Sequence, residues 1–170
     1  MGLLSFVKEA GEKLFGHKDV AAAQQAAASA PADGAAQDKV AQLSQSAADA
    51  ITTYIGTQHL SAQDLKVAFD AASQVVTVSG VAADQQTREK IVLCCGNVTG
   101  VAAVDDQMQV DVPADSAQFH TVVSGDNLSK ISKQYYGDPN KYPQIFEANK
   151  PMLSSPDRIY PGQVLRIPVL

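Results

Sequence analysis

Leu65–Gly80, LKVAFDAASQVVTVSG, contains two short strands around a connection. In the first, Leu65, Val67 and Phe69 fall on one side, the period-two spacing of a half-buried strand. The second, VVTVSG, is rich in β-branched residues and stops at Gly80. AASQ joins the two.

Downstream, DQQTREKIVLCC predicts a helix with Asp84 as N-cap and Thr87, Ile91 and Cys95 on one stripe. A turn, GNVTG, leads into a third strand from Val101 to Val112, which Pro113 ends. Upstream, Val40, Leu43, Ala47, Ile51 and Tyr54 repeat at helical spacing. Residues 38–112 therefore read as helix, two strands, helix, strand. Residues 17–37 are an Ala/Gln-rich linker punctuated by Pro31 and Gly34, helical in part, with almost nothing large to bury. Over residues 1–16, Leu3, Val7, Ala10 and Leu14 form a stripe with Phe6 beside it. This predicts an amphipathic N-terminal helix, weakened at Gly11 and closed by Gly16.

After a short polar linker, 113–118, a second unit spans 119–170. It reads as strand, helix, helix, strand. Asp126 is a candidate cap for its first helix, Gly137 a candidate stop, and Pro161-Gly162 a turn into an apolar final strand. The fold class expected is α+β.

The 170 residues carry a formal charge of -5 with no basic stripe, which argues against a nucleic-acid partner. Lys8 and Glu9 interrupt the first apolar run, so it is no secretory signal, and Phe6 breaks the myristoylation pattern. No run approaches the ~18 apolar residues of a membrane span. The compartment expected is the cytoplasm, with no stable membrane insertion. Cys94 and Cys95 are neighbours and read as reduced, partly buried helix residues. His17, His59 and His120 fall in three segments without a nucleophile or carboxylate at recognisable spacing, so no enzyme is expected. Asp105 and Asp106 read as a solvated pair on an edge strand, with at most one facing the turn.

The hairpin, the following helix and GNVTGVAAVDDQMQV together resemble a BON domain. FHTVVSGDNLSKISKQYYGDPNKYPQIFEANKPMLSSPDRIYPGQVLRIP resembles a LysM domain over nearly all of its length. Together with MGLLSFVKEAGEKL, the combination resembles the small bacterial potassium-binding proteins that carry one BON and one LysM domain. The resemblance implies a K⁺ ligand, with other large monovalent cations as further candidates, and leaves any downstream protein partner unknown.

On that basis the GNVTG turn gains a role. A helix C-terminus leaves carbonyls without partners and carries partial negative charge. Glycines let a turn aim carbonyls inward, and a ring of neutral carbonyl oxygens suits a weakly hydrated monovalent cation better than Mg²⁺ or Zn²⁺. The expected ligands are backbone carbonyls of Gly96, Val98, Gly100 and Val101. The resemblance makes the N-terminal segment part of the same unit, so Val7 and Ala10 complete the shell. From the residues alone, a left-handed helix cap followed by a tight turn explains Gly96 to Gly100 better. The LysM resemblance implies an alternative ligand, N-acetylglucosamine polymers. These would lie in a groove between Gly125, Asp126, Asn127 and Leu128 on one side and Pro151, Met152 and Leu153 on the other.

Overall fold

The computed structural model describes residues 2–6, 11–31 and 33–170. A four-stranded sheet in the order β1-β4-β3-β2 organises the first unit. The hairpin is as expected: β2 (Gln63–Asp70) pairs antiparallel with β3 (Val75–Asp84). From β3 the chain crosses through α3 (Gln85–Gly96) into β4 (Ala103–Val112), which lies parallel to β3. Asp84 caps α3, its carboxylate accepting from the Thr87 amide at 2.7 Å. Ahead of the hairpin stands α2 (Gly34–Thr57), which buries Ala47, Ala48, Ile51 and Ile55. These side chains meet Val76, Val78, Ile91, Val104 and Met108 in one apolar core.

The N-terminal region departs from expectation. Gly2–Ser5 is a strand, β1, paired antiparallel with β4, not the first turn of a helix. Short isolated helices are marginal in water, whereas β4 offers a ready row of backbone partners. Leu4 and Phe6 pack on the core while Leu3 stays 65% exposed. Gly11 has φ +113, outside any right-handed helix. Residues 7–10 of the expected helix lie outside the described residues. Gly16 is the N-cap of a new helix, α1 (His17–Ser29), rather than the stop of an earlier one.

The Ala/Gln-rich stretch is likewise more ordered than a tether. α1 runs through most of it, and α2 opens at Gly34 with the Asp33 carboxylate accepting from Ala35. Val20 and Ala23 are buried, which anchors α1.

The second unit is as read: β5 (Gln118–Thr121), α4 (Leu128–Tyr136), a 3₁₀ turn (Pro139–Lys141), α5 (Tyr142–Ala148) and β6 (Val164–Ile167). β5 and β6 pair antiparallel. Val122, Leu128, Ile131, Ile145, Leu153, Leu165 and Ile167 make its core. Gly137 ends α4 in the left-handed conformation. Asp126 is not the cap of α4. Asn127 is, accepting from Lys130 N at 2.9 Å, because the helix starts one residue later than Asp126 would allow.

The Asn97 turn and the domain junction

α3 buries its C-terminal half, including both thiols. Burial raises Cys94 to about 12 and drives Cys95 well above its ordinary value, so both stay protonated thiols near neutral pH. The Phe6 ring occupies the place a Gly96 Cβ would take, so glycine at the end of the helix leaves room for that ring. Asn97 closes it, its amide donating to Leu93 O at 2.9 Å. Val101 N then donates to Val98 O at 3.1 Å, and Gly100 sits third in that turn with φ +99, where a type II turn demands a positive value.

The N-terminal segment is pinned to both sides of this turn. Phe6 N donates to Ala102 O at 2.8 Å, Glu12 N to Asn97 O at 2.9 Å, and Thr99 N to Glu12 O at 2.9 Å. Thr99 Oγ1 donates to Gly11 O at 2.9 Å. Glycine is required at 11 because a Cβ there would run into the Asn97 carbonyl.

Every residue from Gly96 to Val101 is buried. Yet among the described residues no hydrogen-bond donor reaches the carbonyls of Gly96, Gly100 or Val101, and the Val98 carbonyl keeps one lone pair beyond its bond to Val101. Buried carbonyls are normally paired. The donor set is therefore neutral oxygen, with no cationic side chain in the turn, which fits a weakly hydrated monovalent cation. The structure brings Gly96, Val98, Gly100 and Val101 into one buried turn beside the N-terminal segment. Val7 and Ala10 lie outside the described residues.

The sequence reading missed what Asn97 does with its side chain. Nδ2 donates to Val164 O at 2.9 Å, and Oδ1 accepts from Val164 N at 2.8 Å. Two residues along β6, Asn149 makes the same pair with Arg166, both bonds at 2.8 Å. Residues two apart present their backbone groups on one edge of a strand, so two carboxamides stand where a neighbouring strand would. One belongs to the second unit and one to the turn of the first. The junction is completed by Glu89 on α3. Its carboxylate accepts from Arg166 Nε at 2.6 Å, Ala117 N at 2.9 Å and Gln85 Nε2 at 2.8 Å. Glu89 and Arg166 are 4% and 8% exposed, so this is a desolvated pair with its lone pairs used.

Asp105 and Asp106 are not on an edge strand, since β4 lies between β1 and β3. Asp106 is buried and paired with Arg88 at 2.9 Å, while Asp105 accepts from Gln107. His120, read as lacking a carboxylate, has one: Nε2 lies 2.9 Å from Asp126 Oδ2 and Nδ1 3.3 Å from the Tyr135 hydroxyl. Asp126 also accepts from Val123 N, so the group fastens β5 to the loop before α4.

Of the alternative groove residues, Asp126, Asn127 and Leu128 line an open groove of about 510 Å³ with Tyr142, Pro156, Asp157 and Ile159. Gly125, Pro151, Met152 and Leu153 do not line it. Met152 packs toward the first unit's core and Leu153 is buried in its own.

Residues 44–112 match the BON domain model, and residues 120–168 match the LysM domain model. Fold and junction thus define a protein of one BON and one LysM domain joined through the Asn97 turn. The chain is 46% identical over 168 residues, 99% of each chain, to the potassium binding protein Kbp of Escherichia coli O6:H1, and it belongs to that protein's family. An uncharacterised Deinococcus radiodurans protein is 36% identical over 109 residues, 58% of this chain and 42% of that one. Among the described residues, no helix is long and apolar enough to cross a membrane.

Proposed function

We propose that this chain is a non-catalytic, cytoplasmic potassium-binding protein that reports the ion by fixing its LysM domain on its BON domain. The shell consists of the backbone carbonyls of Gly96, Val98, Gly100 and Val101, completed by those of Val7 and Ala10. The carrying observation is the buried turn whose Gly96, Gly100 and Val101 carbonyls receive no hydrogen from any described residue. The relative named for binding potassium supplies the identity of the ion. Other large monovalent cations compete for the same neutral oxygens.

Coupling follows from Asn97. Its backbone belongs to the turn, its carbonyl accepts from Glu12, and its side chain holds β6. Ordering the turn therefore favours the docked LysM domain, and docking favours the ordered turn.

The test is a thermal melt in KCl, NaCl and choline chloride at matched ionic strength. A ligand at a hundred times its Kd stabilises by about 2.7 kcal/mol. For a chain of this size that is a rise of roughly 5–11 °C. A rise in KCl alone, abolished by Gly100→Val, is expected; equal melts in all three salts would overturn the reading.

A second reading keeps the LysM groove as a site for N-acetylglucosamine polymers. The open groove at Asp126, Asn127 and Leu128, with Tyr142 and Ile159 as apolar surface, favours it. Chitin oligomers that shift the melt irrespective of salt would support this reading.

A further inference from the structure

Beside the Asn97 turn, where the N-terminal segment, α2 and the LysM domain meet, lies a second cavity. It measures about 150 Å³, room for roughly five waters. Its walls include Glu12, Tyr54, Ser154, Arg158, Tyr160 and Gln163.

Gln163 is 5% exposed. Its Oε1 accepts from Tyr160 N at 3.3 Å, its amide donates to Tyr160 O, and its carbonyl accepts from Val122. Nε2 is left with two hydrogens and no described acceptor, and the cavity is the space this side chain faces. The residue is buried, but no side-chain nitrogen or oxygen among the described residues is both buried and unpaired, so this amide nitrogen reaches the water of the cavity and its hydrogens are open to a ligand there.

The two phenols add to this. Neither hydroxyl has a partner among the described residues. Burial raises both, Tyr160 to about 12, and the Glu12 carboxylate adds to the effect on each. Both therefore stay protonated donors, and the Glu12 charge lies close to both. Arg158 and Ser154 stand exposed on the LysM side, and Arg158 has no ion-pair partner among the described residues.

The cavity thus offers an amide, two phenols, a hydroxyl and a guanidinium as donors, and one carboxylate on the opposite segment. A simple anion would leave Glu12 unmatched. A simple cation would leave Arg158 and the amide hydrogens unmatched. We infer that the cavity binds a small α-amino acid as its zwitterion, the carboxylate toward Arg158, Gln163 and the phenols, the ammonium toward Glu12. The volume limits the ligand to the smallest members of that class. Because the walls come from three segments and include Asn97, the ligand favours the same docked arrangement.

The experiment is a titration of the full chain in constant KCl with L-alanine, acetate and methylammonium, followed by the ring-proton NMR signals of Tyr54 and Tyr160 and by calorimetry. Saturable binding of L-alanine but of neither half-ligand is expected. Arg158→Gln and Tyr160→Phe, which remove an exposed head group and one hydroxyl, should each weaken it roughly ten-fold or more. The inference is overturned if glycine, L-alanine and L-serine all fail to bind and the cavity holds water only. It is equally overturned if acetate binds as well as L-alanine, or if both variants bind normally. Holding KCl constant separates this outcome from failure of the potassium reading, which the salt melts decide.

Discussion

Asn97 and Val164, 67 residues apart in sequence, exchange two hydrogen bonds as if they were neighbours in a β-ladder. A carboxamide presents one donor and one acceptor at the spacing of a peptide group, and here it closes the exposed edge of β6. Replacing Asn97 with Ala leaves a buried amide and a buried carbonyl unpaired, at about 1–3 kcal/mol for each such group. The urea midpoint should fall accordingly. Scattering from the variant should show a larger radius of gyration as the LysM domain detaches, while each domain keeps its own core. An unchanged radius would contradict the coupling role given to this residue.

Glu89 and Arg166 form the second fastening, and their burial fixes what mutation should do. Removing one partner strands the other charge, so Glu89→Met or Arg166→Met alone should cost about 3–5 kcal/mol. The double variant should recover much of that loss, because two apolar side chains need no partner. Denaturation of all four proteins measures the coupling. Ala117 N loses its acceptor in every variant lacking Glu89, so recovery in the double variant stays incomplete.

Gly11 and Gly96 are constrained for different reasons, and the two substitutions should separate stability from ion response. Gly96→Ala puts a methyl group into the Phe6 ring, a side chain that can shift. Gly11→Ala meets the Asn97 backbone carbonyl with φ +113, where nothing nearby is soft. Gly11→Ala should therefore lose most of the potassium-dependent rise in melting temperature, whereas Gly96→Ala should lower the melt in all salts and keep part of the rise.

Acid should loosen the protein through three aspartates. The Asp84 carboxyl is held low by the Thr87 amide, Asp126 by the Val123 amide and then by His120, and Asp70 by the Ser73 hydroxyl and then the Ala72 amide. A lowered folded value means that the stability each provides is complete above the ordinary value of 3.8 and is lost as the pH falls through the folded one. The urea midpoint should hold steady down to about pH 4 and decline below it. Asp84→Ala and Asp126→Ala should flatten that decline, and an undiminished slope in both would remove these groups as its cause.

The hairpin, α3 with its Asp84 cap, and the LysM elements were legible because each depends on residues close in sequence. β1 was not. Leu3, Val7 and Leu14 have helical spacing, and only the free edge of β4, a hundred residues on, makes a strand of Gly2–Ser5. Helicity in 17–37 followed from alanine content, but the burial of Val20 depends on a core assembled elsewhere. In the site, Gly100 announced a positive φ. Asn97 gave a weaker signal, a lone amide side chain between a helix-ending glycine and a valine, whose partner in β6 no local pattern could reveal.

The bond from Thr99 to Gly11 spans 88 residues. Closing so long a loop costs entropy that the formed BON sheet offsets, so this contact is expected to form late in folding and to open early in unfolding. β1 adds only four residues of pairing to hold the N-terminal segment in place. On the proposed reading, an ion held at the Asn97 turn would leave by partial release of the N-terminal segment rather than by global unfolding. On the same reading, the time taken to respond to a fall in ion concentration would be set by how often a four-residue strand lets go of β4.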